Sequence, residues 1–422
     1  MTAANAAFRN LVKNSSMMFL LNVAGAGVSV ITIPIMLKIM GVERYGQLVL
    51  VQAIALAVFT LCTFQHWQGL LIALPGHRIG HVELRRAVLR SFWFESVGIA
   101  VVLVVLTTLS LLGIKQFGQF GTLQILLLSV AAVFPMLGTH TAYFRLVNKY
   151  NVLMMAGFLA NLIKLVLLML VARFSPSISM LVTAFVLPEL VRFLLLFYMI
   201  FRWRDGVEGQ LDASAVNQRK MIDAGRWSTL QAICDLPVVQ LDRIIIGFTL
   251  PGHNLGVFAI LKRIYSLINM ATAPFYSTSI PEFAARVNAG DIPAAFALWR
   301  RTMKLLFGVS ALAALGCFAL KGLWMPYLFP VLQDYQREFF VLLLSAVVAG
   351  GFITTHSLYW ALGNLKRATL ITVLTNALYL GLLWLMTWAF GLIGALSAFL
   401  VHVFVVAAVK ITLLNSKYTL QP

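Results

Sequence analysis

Runs of apolar residues long enough to cross the hydrocarbon of a bilayer, which takes about 20 residues of helix, recur along this chain between Lys, Arg, Gly and Pro punctuation. Twelve such spans are read: 15–40, 46–74, 92–113, 122–144, 152–173, 178–201, 227–250, 255–281, 304–330, 339–362, 369–390 and 392–415. They are continuously apolar, whereas membrane barrel strands alternate with a period of two over about ten residues, so helices are expected. With 61% hydrophobic and 11% charged residues, the composition lies far outside the soluble range. The first run is too long for a cleavable signal and lacks a small-residue cleavage site. The expected class is an all-α polytopic membrane protein.

Charge sets the orientation. Of the 32 Lys and Arg, 21 fall on one side of these spans, 5 on the other and 6 inside them. Cytoplasmic loops hold the excess, so both termini are expected in the cytoplasm. Dispersal over seven cytoplasmic segments also removes nucleic acid as the reason for the +18 net charge. Anionic membrane lipids are the expected partners of these residues, each cation being worth about 1 kcal/mol near such a surface. Cys62, Cys234 and Cys317 all fall in spans without paired spacing, which suggests neither a disulfide framework nor a zinc site. No nucleotide-binding loop, metal-ligand cluster or nucleophile triad is found, so an enzyme is not expected and no cofactor is implied.

One phrase is written twice. Residues 39–54 read IMGVERYGQLVLVQAI and residues 249–264 read TLPGHNLGVFAILKRI, each a Gly-containing polar turn closing at Tyr45-Gly46 or Leu255-Gly256. The offset of 210 is nearly half of 422, and the longest polar segment sits at the midpoint. The expected organisation is a six-helix half over 1–201, a cytoplasmic linker over 202–226 and a second six-helix half over 227–422. Parallel repeats of this kind commonly form transporters that rock about a central site.

Lys13-Asn14 before a first helix containing Ile33-Pro34, then Gly41, Glu43 and Tyr45-Gly46, resembles the start of Wzx-type O-antigen and polysaccharide flippases. Leu241-Asp242-Arg243-Ile244-Ile245-Ile246-Gly247, Gly256-Val257-Phe258 and Pro281-Glu282 are similar to that family as well. Met40-Gly41 departs from the Leu-Gly that often opens the first turn in relatives. The resemblance implies a MATE-like fold of two six-helix bundles, shared with multidrug exporters. It also implies translocation of an undecaprenyl-diphosphate-linked oligosaccharide, such as a lipopolysaccharide O-antigen repeat unit, to the outer leaflet of the bacterial inner membrane. The polymerase and chain-length regulator of the same pathway are the implied protein partners.

Charges inside spans point to the path. Lys164, Glu189, Arg192, Asp235, Asp242, Arg243, Lys262, Arg263 and Lys321 would together cost about 20 to 30 kcal/mol if they faced lipid, several times the stability of a typical domain. Most must face inward, leaving a surplus of three cations suited to a diphosphate, with Arg as a bidentate fork and Lys as a point charge. Lys164, Arg192, Arg243, Lys262 and Arg263 are the candidate substrate contacts, expected to line a vestibule between the halves. Glu189 with Arg192, and Asp242 with Lys262 or Arg263, are equally readable as ion pairs that hold the bundle. Asp235 and Asp242, seven apart, should share a helix face. Lys164 has no acid nearby in sequence and is the better placed for substrate, whereas Lys38, Lys321 and Lys410 are read as snorkelling.

A proton or sodium gradient is a candidate driving force, with Asp235 or Glu189 as the carrier and His66, His140, His356 and His402 as further titrating groups. Pro34, Pro188, Pro237 and Pro274 are candidate hinges. Trp67, Tyr359 and Trp360 could stack on sugar rings, though an interfacial aromatic belt accounts for them too. Two other functions compete. A MATE-type drug or cation exporter should carry an acidic interior, and a membrane glycan polymerase or ligase should carry a large outer loop; neither is read here.

Overall fold

The computed structural model describes residues 3–73, 81–118, 120–147, 149–174, 176–202, 218–270, 272–363 and 365–418. Most of the expected linker, residues 203–217, lies outside the described residues. Among the described residues every regular element is helical. The chain forms two compact units, Met1–Ile233 and Cys234–Pro422.

The first unit holds α1 (Ala3–Cys62), α2 (His66–Ala73), α3 (His81–Leu111), α4 (Thr122–Val133), α5 (Gly138–Leu146), α6 (Tyr150–Phe174), α7 (Ile178–Arg202) and most of α8 (Gln218–Leu236). The second holds the end of α8, then α9 (Asp242–Thr249), α10 (Gly252–Met270), α11 (Ala273–Asn288), α12 (Ile292–Ala319), α13 (Lys321–Leu328), α14 (Gln336–Ala361) and α15 (Leu365–Tyr418). Eight stretches among the described residues are long and apolar enough to cross a membrane. Two of these, Val30–Cys62 and Arg367–Leu414, contain a break where two expected spans meet. Gly41 at φ 78° and Gly391 at φ 63° make those breaks, in a backbone region that a side chain with a Cβ rarely tolerates.

The expected spans 227–250 and 255–281 are not among the eight, because each is interrupted. Pro237 has no N–H to continue the α-ladder, and the backbone widens into a π-helical turn over Pro237–Leu241. Residues 255–281 are divided between α10 and α11. The expected span 122–144 is also broken: Pro135 lies in a 3₁₀ turn over Phe134–Met136, and the helix restarts as α5 at Gly138. The repeated phrase marks a helix break in both units, by different means. In the first it is the positive φ of Gly41; in the second Leu250 is extended at φ −120° and ψ 160°, as the residue before a proline prefers.

Between helices in lipid there is little hydrophobic driving force, so close backbone approach and side-chain packing hold the bundle. A Cβ at Gly350 of α14 would meet the Ser310 side chain of α12, and one at Gly351 would meet the Phe307 ring, so these glycines let the two helices close. Packed clusters fill each unit, Leu70, Leu84, Tyr143, Phe144 and Leu196 in the first, Phe283, Trp299, Leu358, Tyr359 and Leu414 in the second. Large apolar side chains such as Leu111, Phe174, Tyr327 and Trp388 stand outward, as a lipid-facing surface requires.

Candidate functional site

In the first unit α6 and α7 gather three charges. Glu189 and Arg192 lie three residues apart on one face of α7, and Arg192 Nη1 is 3.4 Å from Glu189 Oε2. Lys164 of α6 donates to Glu189 Oε1 at 2.7 Å, with its ammonium 4.4 Å from the centre of the Phe185 ring. Lys164 therefore has an acidic partner after all: the α6–α7 pairing brings in a carboxylate 25 residues away that local sequence does not reveal. One carboxylate answers two cations, and the cluster keeps one positive charge.

Glu95 was not among the charges anticipated from sequence, although a single acid in the apolar run 92–113 is the signal that marks it. From α3 it accepts from the Gly138 and Thr139 backbone N–H groups at 2.6 and 3.1 Å and from Thr139 Oγ1 at 2.6 Å. The break at Pro135 exposes the N-terminus of α5, and Glu95 supplies the acceptor and the negative charge that such an end favours. It is 1% exposed.

In the second unit the π-helical turn delivers Asp242, whose backbone N–H donates to the Pro237 carbonyl. Asp242 is fully buried and its Oδ2 lies 3.0 Å from Lys262 Nζ on α10. Of the two partners left open by the sequence, Lys262 pairs with Asp242. Its ammonium sits 3.7 Å from the centre of the Phe399 ring and 5.7 Å from those of Phe258 and Tyr265. Asp242 Oδ1 also accepts from the Arg243 backbone N–H at 2.7 Å. Arg243 and Arg263 themselves are half-buried.

Asp235 does not share a partner with Asp242, as a common face would suggest. The wide turn between them breaks the 3.6-residue register, and Asp235 lies within electrostatic reach of Lys410 of α15 without a direct ion pair to it. Lys410 does not snorkel: it is buried, with Nζ 3.2 Å from His356 Nδ1. Lys321 donates to Gln336 Oε1 at 2.7 Å, a fixed partner in place of free water. Glu95 and Lys410 add one acidic and one basic group to the interior residues read from the sequence.

The aromatic candidates separate. Tyr359 is 2% exposed and its Oη donates to the Lys410 backbone carbonyl at 2.9 Å, so its ring has no face to offer a sugar. Trp67 donates to Gln65 Oε1 and packs on the cluster around Tyr143, where its ring occupies the space a Cβ at Gly138 would need. Trp360 is the exposed one, with its indole N–H donating to His356 Nε2 at 2.9 Å. His66 bonds Ser91 Oγ at 2.6 Å, His140 meets the Phe193 ring edge-on, and His402 lies against Tyr379.

Buried charge pairs within a bundle of long apolar helices are the chemistry of a membrane passage. The sequence profile of a family described as polysaccharide biosynthesis protein matches residues 11–286. The chain belongs to that family. No curated protein matches the sequence. Among solved structures, an inward-closed lipid II flippase MurJ superposes with a TM-score of 0.70 at 12% identity, over 94% of this chain and 87% of that one. An inward-facing MATE family multidrug resistance transporter of the MOP superfamily gives 0.62 at 13% identity, over 96% of both chains. A MOP superfamily transporter from Pyrococcus furiosus, described by the reverse polarity of its binding pocket, gives 0.56 at 14% identity, over 96% of this chain and 92% of that one. At such identities the likeness shows a shared fold. This family member is a multi-pass membrane protein.

Proposed function

We propose that this transporter flips a polyprenyl-diphosphate-linked oligosaccharide, of the O-antigen repeat kind, from the cytoplasmic to the outer leaflet of a bacterial inner membrane by alternating access, with both termini cytoplasmic. The observation that carries this reading is the cluster in which Glu189 is shared by Lys164 and Arg192, because a carboxylate divided between two cations leaves positive charge for an anion. A diphosphate head is such an anion, and membership in a polysaccharide biosynthesis family supplies the sugar. The drug-exporter alternative has its chemical support in the second unit, where Asp242 and three rings surround a cation. There the chain's own Lys262 already fills the place a cationic drug would take.

Replacing Lys164 or Arg192 by Gln tests the reading in a strain that depends on this chain for its surface glycan. Surface glycan is expected to fall about tenfold or more, equivalent to a loss of about 1.4 kcal/mol in head-group interaction, at unchanged protein level in the membrane. Normal glycan in both variants removes the anion-binding role. Export of a cationic dye by the wild-type protein would replace the reading with the exporter one.

A further inference from the structure

Three groups of the second unit stand in a row apart from the Asp242–Lys262 pair. The Trp360 indole N–H donates to His356 Nε2 at 2.9 Å, and His356 Nδ1 lies 3.2 Å from Lys410 Nζ. An indole nitrogen only donates, so Nε2 is the bare nitrogen and a neutral imidazole carries its hydrogen on Nδ1. That hydrogen faces Lys410 Nζ, which can accept it only as a neutral amine, since an ammonium has no lone pair. With both bonds in place, the row holds no extra proton.

Adding one proton makes the row incompatible with itself. If the proton rests on Lys410, the ammonium donates to Nδ1, the ring hydrogen moves to Nε2, and two N–H groups confront each other at the indole. If it rests on His356, both ring nitrogens carry hydrogen and the same confrontation follows. Keeping the hydrogen on Nδ1 beside an ammonium would forfeit the charge-assisted bond, the stronger of the two. The indole bond is the one that yields.

We propose that His356 and Lys410 form a proton-binding site whose occupancy releases the indole of Trp360. The charged and titratable groups facing this pair are Asp235 from α8, Tyr276 from α11, Tyr359 from α14 and His402 from α15. Asp235 is the acidic group within electrostatic reach of Lys410, so a proton bound here offsets its negative charge. A membrane potential acts on that difference in charge. Trp360 is 39% exposed, so its release frees a ring that can stack on a sugar. The link to sugar rests on the flippase reading; the proton site does not.

The test uses the full-length protein in lipid nanodiscs with ¹⁵N-labelled indoles, the Trp360 signal being assigned by its loss in Trp360→Phe. From about pH 9 down to about pH 5, the Trp360 indole proton is expected to move upfield as its hydrogen bond is lost. The shift should vanish in Lys410→Met. His356→Gln, which can donate and accept without titrating, should abolish it too and covers the case in which Lys410→Met does not fold. An indole signal that does not respond to pH in the wild type, or a response that persists in either variant, overturns the proposal. The two readings fail separately: a titrating indole in a protein whose deletion leaves surface glycan intact keeps the proton site and removes the flippase function.

Discussion

Glu189 in the first unit is shared by two cations, Lys164 at 2.7 Å and Arg192 at 3.4 Å, whereas Asp242 in the second is enclosed with Lys262 at 3.0 Å. Exposure differs in the same sense. The Arg192 side chain keeps 19% of its surface accessible, while Lys262 keeps 8% and Asp242 none. A shared carboxylate neutralises neither partner, so the first cluster can give up Arg192 to an anion without stranding a carboxylate. A matched and enclosed pair has no such freedom, because removing either member leaves an uncompensated buried charge. Similar residue types thus leave an accessible cation in one unit and an enclosed ion pair in the other.

The sharpest way to break this contrast is Asp242→Asn. Lys262 would be left charged among Phe399, Phe258 and Tyr265, and we expect a loss of about 3 to 5 kcal/mol in a reversible unfolding assay. Lys262→Met in the same background should recover most of it, since a pair replaced by apolar groups of similar volume is often neutral, and the cycle should show strong coupling. A cost in Asp242→Asn no larger than that of a surface mutation would refute the enclosed-pair assignment.

Glu189→Gln comes next. Two cations lose their shared partner, but the accessible Arg192 can be solvated, so about 2 to 3 kcal/mol is expected, within the range for a hydrogen bond to a charged group. An effect exceeding that of Asp242→Asn would reverse the comparison. The smallest effect belongs to Glu282→Gln. Its pair with Arg286 at 3.0 Å is solvent-exposed on α11, and its removal should cost less than about 0.5 kcal/mol. A larger value would mean that exposure in this fold is a poor guide to ion-pair worth.

Much of the helical layout and part of the site were legible in the sequence. Glu189 and Arg192 were readable as a pair because helix periodicity fixes which residues three apart share a face. The Asp242 pairing was legible down to two adjacent candidates, Lys262 and Arg263. Glu95 was visible as an acid in an apolar run, but its task depended on a helix break at Pro135, 40 positions away. Lys410 looked interfacial because it lies near the end of the last apolar run, whereas His356 and Tyr359 of α14 close over it in the fold.

By itself the sequence determined the all-helical membrane class, the polysaccharide biosynthesis family and an interior richer in basic than acidic residues. These follow from the cost of unpaired backbone and isolated charge in hydrocarbon, which any fold of this chain must meet. Only the tertiary structure decided which groups meet: Lys164 with Glu189 across two helices, Lys410 with His356 across α15 and α14, and Asp242 with Lys262 across the turn that Pro237 widens. Periodicity specifies neighbours within a helix to within a turn. Neighbours between helices depend on where prolines and glycines break the ladder and on how side chains close around each pair, and sequence spacing carries neither.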